Sequence, residues 1–368
     1  MKKWVLDLLR CPGCGADLVA TPLEVNSAGE VWMGILDCAN DSCRAWFPVI
    51  RGVPRLLDES LRAEETLQFV REYKVDRNCL GGNHTAPSSG LKAKTVRNFG
   101  YEWTKYDRFG WDDPVYNIES EEVRFCAKSL LEPEEFHEKL VLDAGCGNGR
   151  YSYLAAKYGA RVVGIDLGHG VEAAAKNTAE CPDIQIVQAD IFRAPFPESC
   201  FDIVFSVGVL MHTGDARGAT ASLATKVKPG GMMSVRLYGK GNPIYEWVDE
   251  WLRKRTTKMT IPQLEEFTRK VYAFRRFLDR VGGAALFTRF MRLDPHPHCV
   301  FDWYAAPIAT HHTHSEVEVW LRESRFEVVR SDRHRYNFRS PARAWLHAKV
   351  GSPEAVTVLA ARETSCVE

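Results

Sequence analysis

One stretch constrains the chain more than any other: Leu140 to Gly168, LVLDAGCGNGRYSYLAAKYGARVVGIDLG. An apolar run leads into a glycine-rich turn, a helical segment follows, and a second apolar run ends at Asp166. Strand, tight turn, helix and strand is the signature of a βαβ unit and hence of a parallel sheet. The pattern continues downstream with IQIVQAD, FDIVFSVGVL, ATASLATKVKPGG and MMSVRLYG, and breaks off at Gly239. It resumes with the helix SEVEVWLRES and the strands RFEVVRSD and AVTVLAAR. Between the two lies an aromatic, arginine-rich and mostly helical segment, which reads as a cap inserted before the last strands. The expected fold class is therefore α/β, with a mostly parallel sheet.

The turn itself carries Asp143, Gly145, Gly147 and Gly149 as D-x-G-x-G-x-G. Glycine there allows a sharp backbone turn and lets a ligand approach with no Cβ in the way. A dinucleotide fingerprint requires G-x-G-x-x-G, but three residues after Gly147 stands Arg150. An acidic residue in the turn suits a ligand that carries a cation rather than a pyrophosphate. Asp166 closes the next strand, where a carboxylate can accept both ribose hydroxyls, and Asp190 closes the third, beside an adenine. The loop reads as a holder for an adenosine with a positive group and no phosphates.

From Val141 to Gly231 the chain resembles class I S-adenosylmethionine-dependent methyltransferases. VLDAGCGNG matches their first motif, VVGIDLG the acidic second, QADIFRAPFP the third, FDIVFSVGVLMH the fourth strand, and KPGG the turn before the fifth. The resemblance implies a Rossmann-like domain with a seven-stranded sheet and S-adenosylmethionine as cofactor. It implies that Gly145, Cys146, Gly147 and Gly149 lie under the methionine part and that Asp143 faces its amino group. Asp166 with Leu167 would take the ribose, Asp190 with Ile191 would flank the adenine, and Ser206 with Val207 would line the floor. The segment Phe99 to Trp111 occupies the position of an N-terminal lid, with Tyr101 or Trp103 closing over the cofactor.

Ahead of this domain, Cys11-x-x-Cys14 and Cys38-x4-Cys43 form two cysteine pairs in a Gly/Pro-rich context. Two such turns can present four thiolates to one ion, and four thiolates leave no open position, so a structural zinc is expected. LLRCPGCGADL and LDCANDSCRAWFPVIRGVPRLL resemble the small zinc-ribbon activator subunit of tRNA and release-factor methyltransferases, here fused to the enzyme. The remaining cysteines of the eleven are scattered, as expected of reduced cytoplasmic thiols. The basic N-terminus is interrupted by Asp7 and is not a secretory signal, and no apolar run is long enough for a membrane span.

The expected organisation is a zinc ribbon over 1–57, a helical linker over 58–97 and the cofactor-binding core over 98–238. A cap over 239–312 and the rest of the core over 313–368 complete it. Asn78 to Gly90 reads as a loose loop.

A general base is needed only if the methyl acceptor is protonated. His212, directly after the fourth strand, is the first candidate; the alternative is that it merely shapes its loop. His314 and Tyr304 are further candidates, within PHPHCVFDWYAAPIATHHTHSEVEVW. His296, His298, His311 and His312 complete that tract, which reads as a pocket lining with Trp303 and Tyr304. Arg236 and Tyr238 could face the same cleft. No carboxylate pattern of known metal sites accompanies the tract, and whether it also holds a metal stays open. Ser315 and Glu318 form an expected capping box.

Lys and Arg balance Asp and Glu at 48 each. A strongly nucleic-acid-binding surface is therefore not expected, and the basic residues of Trp251 to Arg280 read as the solvated face of cap helices that pack Trp251, Phe267 and Phe274 inward. The preferred reading is methylation of a small molecule in biosynthesis. An RNA base methyltransferase and a non-catalytic, cofactor-binding scaffold acting through the ribbon are the alternatives. Homo-oligomerisation stays open.

Overall fold

The computed structural model describes residues 1–57, 64–75, 90–111, 120–333 and 355–364. Most of the expected loose loop, 78–89, lies outside the described residues. Eleven strands are described: β1 (Leu18–Val25), β2 (Val31–Cys38), β3 (Trp46–Ile50), β4 (Val53–Leu56), β5 (Leu140–Ala144), β6 (Arg161–Asp166), β7 (Ile184–Ala189), β8 (Phe201–Val207), β9 (Val227–Tyr238), β10 (Phe326–Ser331) and β11 (Ala355–Arg362). They form one sheet in the order β1-β2-β3-β4-β7-β6-β5-β8-β9-β11-β10.

From β7 to β10 this is a seven-stranded Rossmann-like sheet, parallel except that β11 runs antiparallel to both β9 and β10. The continuous apolar runs read from sequence are the strands buried on both faces: β7 is buried throughout, as are four of the five positions of β5. The chain passes from β5 outward through β6 to β7, then returns to place β8 on the other side of β5. That reversal opens a crevice beyond the carboxyl ends of the strands, the usual ligand position in an open α/β sheet.

The N-terminal unit is not a separate bead. β4 pairs in parallel with β7, Arg55 opposite Gln188 and Leu56 opposite Ala189, so the sheet runs unbroken from ribbon to core. Lys2 N donates to Gln185 Oε1 at 2.7 Å, and Arg10 N donates to the Pro195 carbonyl at 2.8 Å. Val5, Leu9, Leu36 and Phe47 share one apolar cluster with Leu142, Val187 and Ala189. Arg55, 3% exposed, reaches Glu172 and Gln188 from this junction.

The stretch after β9 folds as helices Pro243–Thr256, Ile261–Arg280, Ala284–Phe287 and Pro297–Ala305. Their starts are written locally: Asn242 caps Ile244 and Tyr245 with Pro243 at the first position, and Thr260 forms a capping box with Gln263. Tyr245, Leu264, Phe301, Trp303 and Tyr304 form the core of this cap. Phe267 packs against Tyr304, but Trp251 and Phe274 are 45% and 38% exposed, so two of the three expected inward anchors point outward. The helix His314–Glu323 is capped by Thr313, whose box partner is Glu316, and not by Ser315. Two overlapping T/S-x-x-E patterns compete there, and Thr313 holds the extended conformation that a cap needs.

A long helix, Gly90–Lys105, crosses the expected 97/98 boundary and lies over the crevice. Asn98 Nδ2 donates to the Ala305 carbonyl at 2.8 Å, which ties this lid to the cap. No helix of the described residues is long and apolar enough to cross a membrane.

Candidate active site

The turn after β5 is shaped by backbone conformations that L-residues rarely adopt. Gly145, Gly147 and Gly149 have φ of +92°, +54° and +83°. Gly145 N and Cys146 N donate to the Ile165 carbonyl at 2.8 and 2.9 Å, folding the turn back over β6. Asp166 braces it from below: Oδ2 accepts from Gly147 N at 3.1 Å and Oδ1 from Gly168 N at 2.9 Å. Burial nevertheless raises the Asp166 carboxyl above its usual range.

The turn floors a cavity of about 220 Å³. Gly145, Cys146 and Gly147 line it, as do Asp166, Leu167, Asp190, Ile191, Val207 and His212. Its roof is the lid helix, which contributes Lys92, Thr95, Val96, Phe99 and Trp103, a helical-period face. A Cβ on Gly147 would lie 2.9 Å from the Trp103 indole and one on Gly145 2.3 Å from Val209, so glycine is what keeps this cradle open.

Four of the expected cofactor residues are not among the lining. Asp143 is buried behind the turn, where Oδ2 accepts from Ser152 Oγ at 2.7 Å; burial pushes its carboxyl up to about 7. Gly149 caps the helix Arg150–Lys157. Ser206 Oγ donates to the Ala144 carbonyl at 2.7 Å, holding β8 to β5. Tyr101 turns away to hydrogen-bond Glu265 at 2.5 Å, so of the two lid aromatics it is Trp103 that reaches the cavity. Asp190 lines the cavity already engaged: Lys92 pairs with it and Phe192 N donates to it at 3.1 Å.

His212 is the catalytic candidate that the fold brings to the cavity. Its Nδ1 lies 2.7 Å from the Ile308 carbonyl, an acceptor that assigns the proton to Nδ1. Nε2 is left as a lone-pair acceptor with no hydrogen-bond partner among the described residues. Burial lowers its pKa to about 4, so the ring is neutral at ordinary pH. Phe99 and Tyr238 pack on it at 5.0 and 5.3 Å.

The other candidates sit elsewhere. Tyr304 is buried in the cap, donating to the Arg292 carbonyl at 2.8 Å, and His314 Nε2 contacts Asp332 at 2.6 Å. Trp303 donates to Asp249 at 2.7 Å, and Arg236 turns to Thr357 at 2.7 Å. The histidine tract is dispersed rather than gathered into one pocket: His311 contacts Glu246 at 2.6 Å, His312 contacts Thr310 at 2.7 Å, and His296 caps the helix that carries His298.

Two lining residues carry no sequence signal of their own. Asp302, on a cap helix, faces the cavity with Tyr238 Oη donating to it at 3.3 Å; burial, with Glu102 nearby, pushes its carboxyl up to about 7. Arg150 also faces it, stacked over Phe109 and Tyr151 at 4.9 and 4.5 Å, its Nη1 without a partner among the described residues. Both are ordinary polar residues on helices, and only the tertiary arrangement reveals which way they face.

In the N-terminal unit Cys11, Cys14, Cys38 and Cys43 bring their sulfurs within 4.8 Å of one another. Cys11 and Cys43 are 3.9 Å apart, Cys14 and Cys38 3.4 Å. Those separations are far beyond a disulfide bond of ~2.05 Å. They straddle the ~3.8 Å edge of a tetrahedron of thiolates at ~2.3 Å from zinc. The donor set fits a closed ion site made of four thiolates.

Residues 142–235 match the methyltransferase domain family. A ubiquinone biosynthesis O-methyltransferase of Coxiella burnetii is 36% identical over 104 residues, which cover 26% of this chain and 42% of that protein. Phosphoethanolamine N-methyltransferase 1 of Zea mays is 34% identical over 126 residues, covering 31% of this chain and 25% of that protein. The chain thus spans less than half the length of either relative. Among solved structures, the complex of the Haloferax volcanii Trm112 methyltransferase activator with a methyltransferase aligns at 14% identity and a TM-score of 0.42, covering 73% of this chain and 98% of that one.

Proposed function

We propose that the chain is an S-adenosylmethionine-dependent methyltransferase acting on a small molecule, with a structural zinc in its N-terminal ribbon. The observation that carries this reading is the cavity at the sheet's switch point. Its floor is a glycine turn that admits no Cβ, and its wall carries a neutral imidazole nitrogen with no hydrogen-bond partner among the described residues. The matched domain family supports the cofactor.

When bound, S-adenosylmethionine supplies an electrophilic methyl group on a sulfonium. The chain's own residues orient, exclude water and move a proton. The turn at Gly145 to Gly147 would hold the methionine end, Asp166 the ribose, and Asp190 with Ile191 the adenine. Trp103 and Phe99 cover the cavity from the lid, which keeps water from competing and holds the acceptor in line. His212 Nε2 is the proton acceptor for a hydroxyl or amine nucleophile, its orientation fixed by the Ile308 carbonyl. Asp302 and Arg150 supply the polar groups that meet the acceptor. The cap's basic residues favour a small acceptor over RNA: Lys254, Lys270 and Arg269 pair with Glu250 and Glu266 on their own helices, and Arg275 pairs with Asp279.

The test is methyl transfer from labelled cofactor into fractionated pools. Label in small metabolites, abolished by His212→Gln, is the expected result. Label in RNA would replace the acceptor class, and binding without transfer to either pool would favour the scaffold.

A further inference from the structure

The His-rich tract leaves one group that methyl transfer does not use. At the start of the cap helix Pro297–Ala305, His296, His298 and Cys299 bring one ligand atom each within 4.8 Å of the others. His298 Nδ1 lies 3.9 Å from Cys299 Sγ. In a tetrahedral zinc shell the nitrogen–sulfur edge is ~3.6 Å, so that pair needs only a small shift to share an ion.

A second, independent observation comes from the lid. Glu102 is fully buried, yet neither of its carboxylate oxygens has a hydrogen bond among the described residues. Oε1 stands 2.8 Å from His298 Nε2, out of hydrogen-bond alignment. A buried carboxyl group that makes no hydrogen bond among the described residues is costly and calls for a better-aligned partner. A metal on Nδ1 would fix the ring proton on Nε2, the nitrogen already 2.8 Å from the carboxylate, and a small turn of the ring onto the ion would complete that bond. Metal-bound histidines are commonly oriented by a carboxylate on the far nitrogen.

We propose that His296, His298 and Cys299 form a second zinc site, with Glu102 as its orienting carboxylate. Mixed imidazole and thiolate donors suit this ion. Three protein ligands leave a fourth position for water or another small donor. The site joins two elements that lie far apart in the sequence. Glu102 belongs to the lid and the ligands to the cap. Trp103, which roofs the cofactor cavity, packs its ring on His298 at 5.3 Å. Asp302 sits one turn beyond His298 on the same helix, so an ion here would also fix the carboxylate that faces the cavity. The inference stands on its own donors and does not depend on the methyl-transfer reading.

The experiment measures zinc per chain by mass spectrometry on full-length protein purified with added Zn²⁺ and desalted, together with zinc X-ray absorption. Two equivalents and a mixed sulfur–nitrogen shell are expected. The double variant His298→Ala/Cys299→Ser should fall to one equivalent with an all-sulfur shell. Glu102→Gln should keep the second equivalent but release it faster to a chromogenic chelator. One equivalent in the unaltered protein with an all-sulfur shell would overturn the proposal, as would two equivalents that survive the double variant. If that variant fails to fold, the absorption spectrum of the unaltered protein decides alone, since the ribbon supplies only sulfur.

Discussion

Gly145→Ala places a single methyl group at the tightest point of the cradle. Gly145 sits at φ +92°, and an added Cβ would meet three atoms of the Val209 side chain at 2.3, 2.5 and 2.8 Å. Holding an L-residue in left-handed backbone costs ~1–2 kcal/mol. Overpacking adds ~1–3 kcal/mol, depending on how far Val209 can yield. The chain can keep the turn and lose stability, or let the turn shift into the cavity and lose cofactor affinity. In the second case a cost of ~2 kcal/mol weakens binding about 30-fold. Equilibrium dialysis with S-adenosylhomocysteine and thermal melting together capture both routes. The double variant Gly145→Ala/Val209→Ala removes the 2.3 and 2.5 Å contacts and keeps the 2.8 Å one to Cβ, so it should recover much of the steric share and leave the backbone share, and the two substitutions should be non-additive. Unchanged affinity and unchanged melting in Gly145→Ala would mean that the turn has room for a Cβ at this position. Strict additivity in the double variant would refute the steric share.

Three further outcomes are expected. His212 has a folded pKa of about 4 against ~6.5 when unfolded. A depressed value means that its contribution is full above pH ~6.5 and is lost as pH falls toward 4, with an upper bound of roughly 3 kcal/mol. Imidazole NMR should show the ring neutral at pH 5.5, and His212→Gln should flatten that part of the stability curve; a midpoint near 6.5 would contradict the buried environment. Cys14→Ser should release the ion held by the four N-terminal cysteines and destabilise the N-terminal strands, seen as the loss of one zinc equivalent and as faster amide exchange in β2 and β3; an unchanged zinc content with native exchange would count against a structural ion. Arg55→Leu should cost ~1–3 kcal/mol in denaturant unfolding, less than a fully buried pair because Glu172 is 31% exposed and keeps Arg51 at 3.3 Å. No change would mean that the ribbon–core junction rests on apolar packing alone.

The parts of the site that were legible are those written in backbone geometry. Asp143, the three glycines and Asp166 declare a turn that few other residues could make, and each lies in or beneath that turn. Roles within the turn were less legible. The resemblance gave Asp143, in the turn, and Ser206, on β8, ligand roles, yet each bonds to the chain, to Ser152 and to the Ala144 carbonyl. The lid was legible only in part: the resemblance pointed to the stretch from Phe99 and to Trp103, whereas Lys92, Thr95 and Val96 fell in the expected linker, because that part of the inner face mixes polar and apolar residues and lacks a clean apolar stripe. The β4–β7 pairing escaped for a different reason. Val53–Leu56 falls at the end of the expected ribbon over 1–57, and no local signal says that its free edge continues a sheet formed more than a hundred residues later. Asp302 is invisible for want of any motif at all.

Whether the crevice over β5 and β6 holds S-adenosylmethionine is decided by calorimetric titration of the nucleic-acid-free protein with S-adenosylhomocysteine. One site per chain, with affinity weakened by Asp166→Ala by roughly 1–3 kcal/mol for a lost buried hydrogen-bonding group, is the predicted result. No binding heat with either S-adenosylhomocysteine or S-adenosylmethionine, in protein whose fold is intact by circular dichroism, would contradict it.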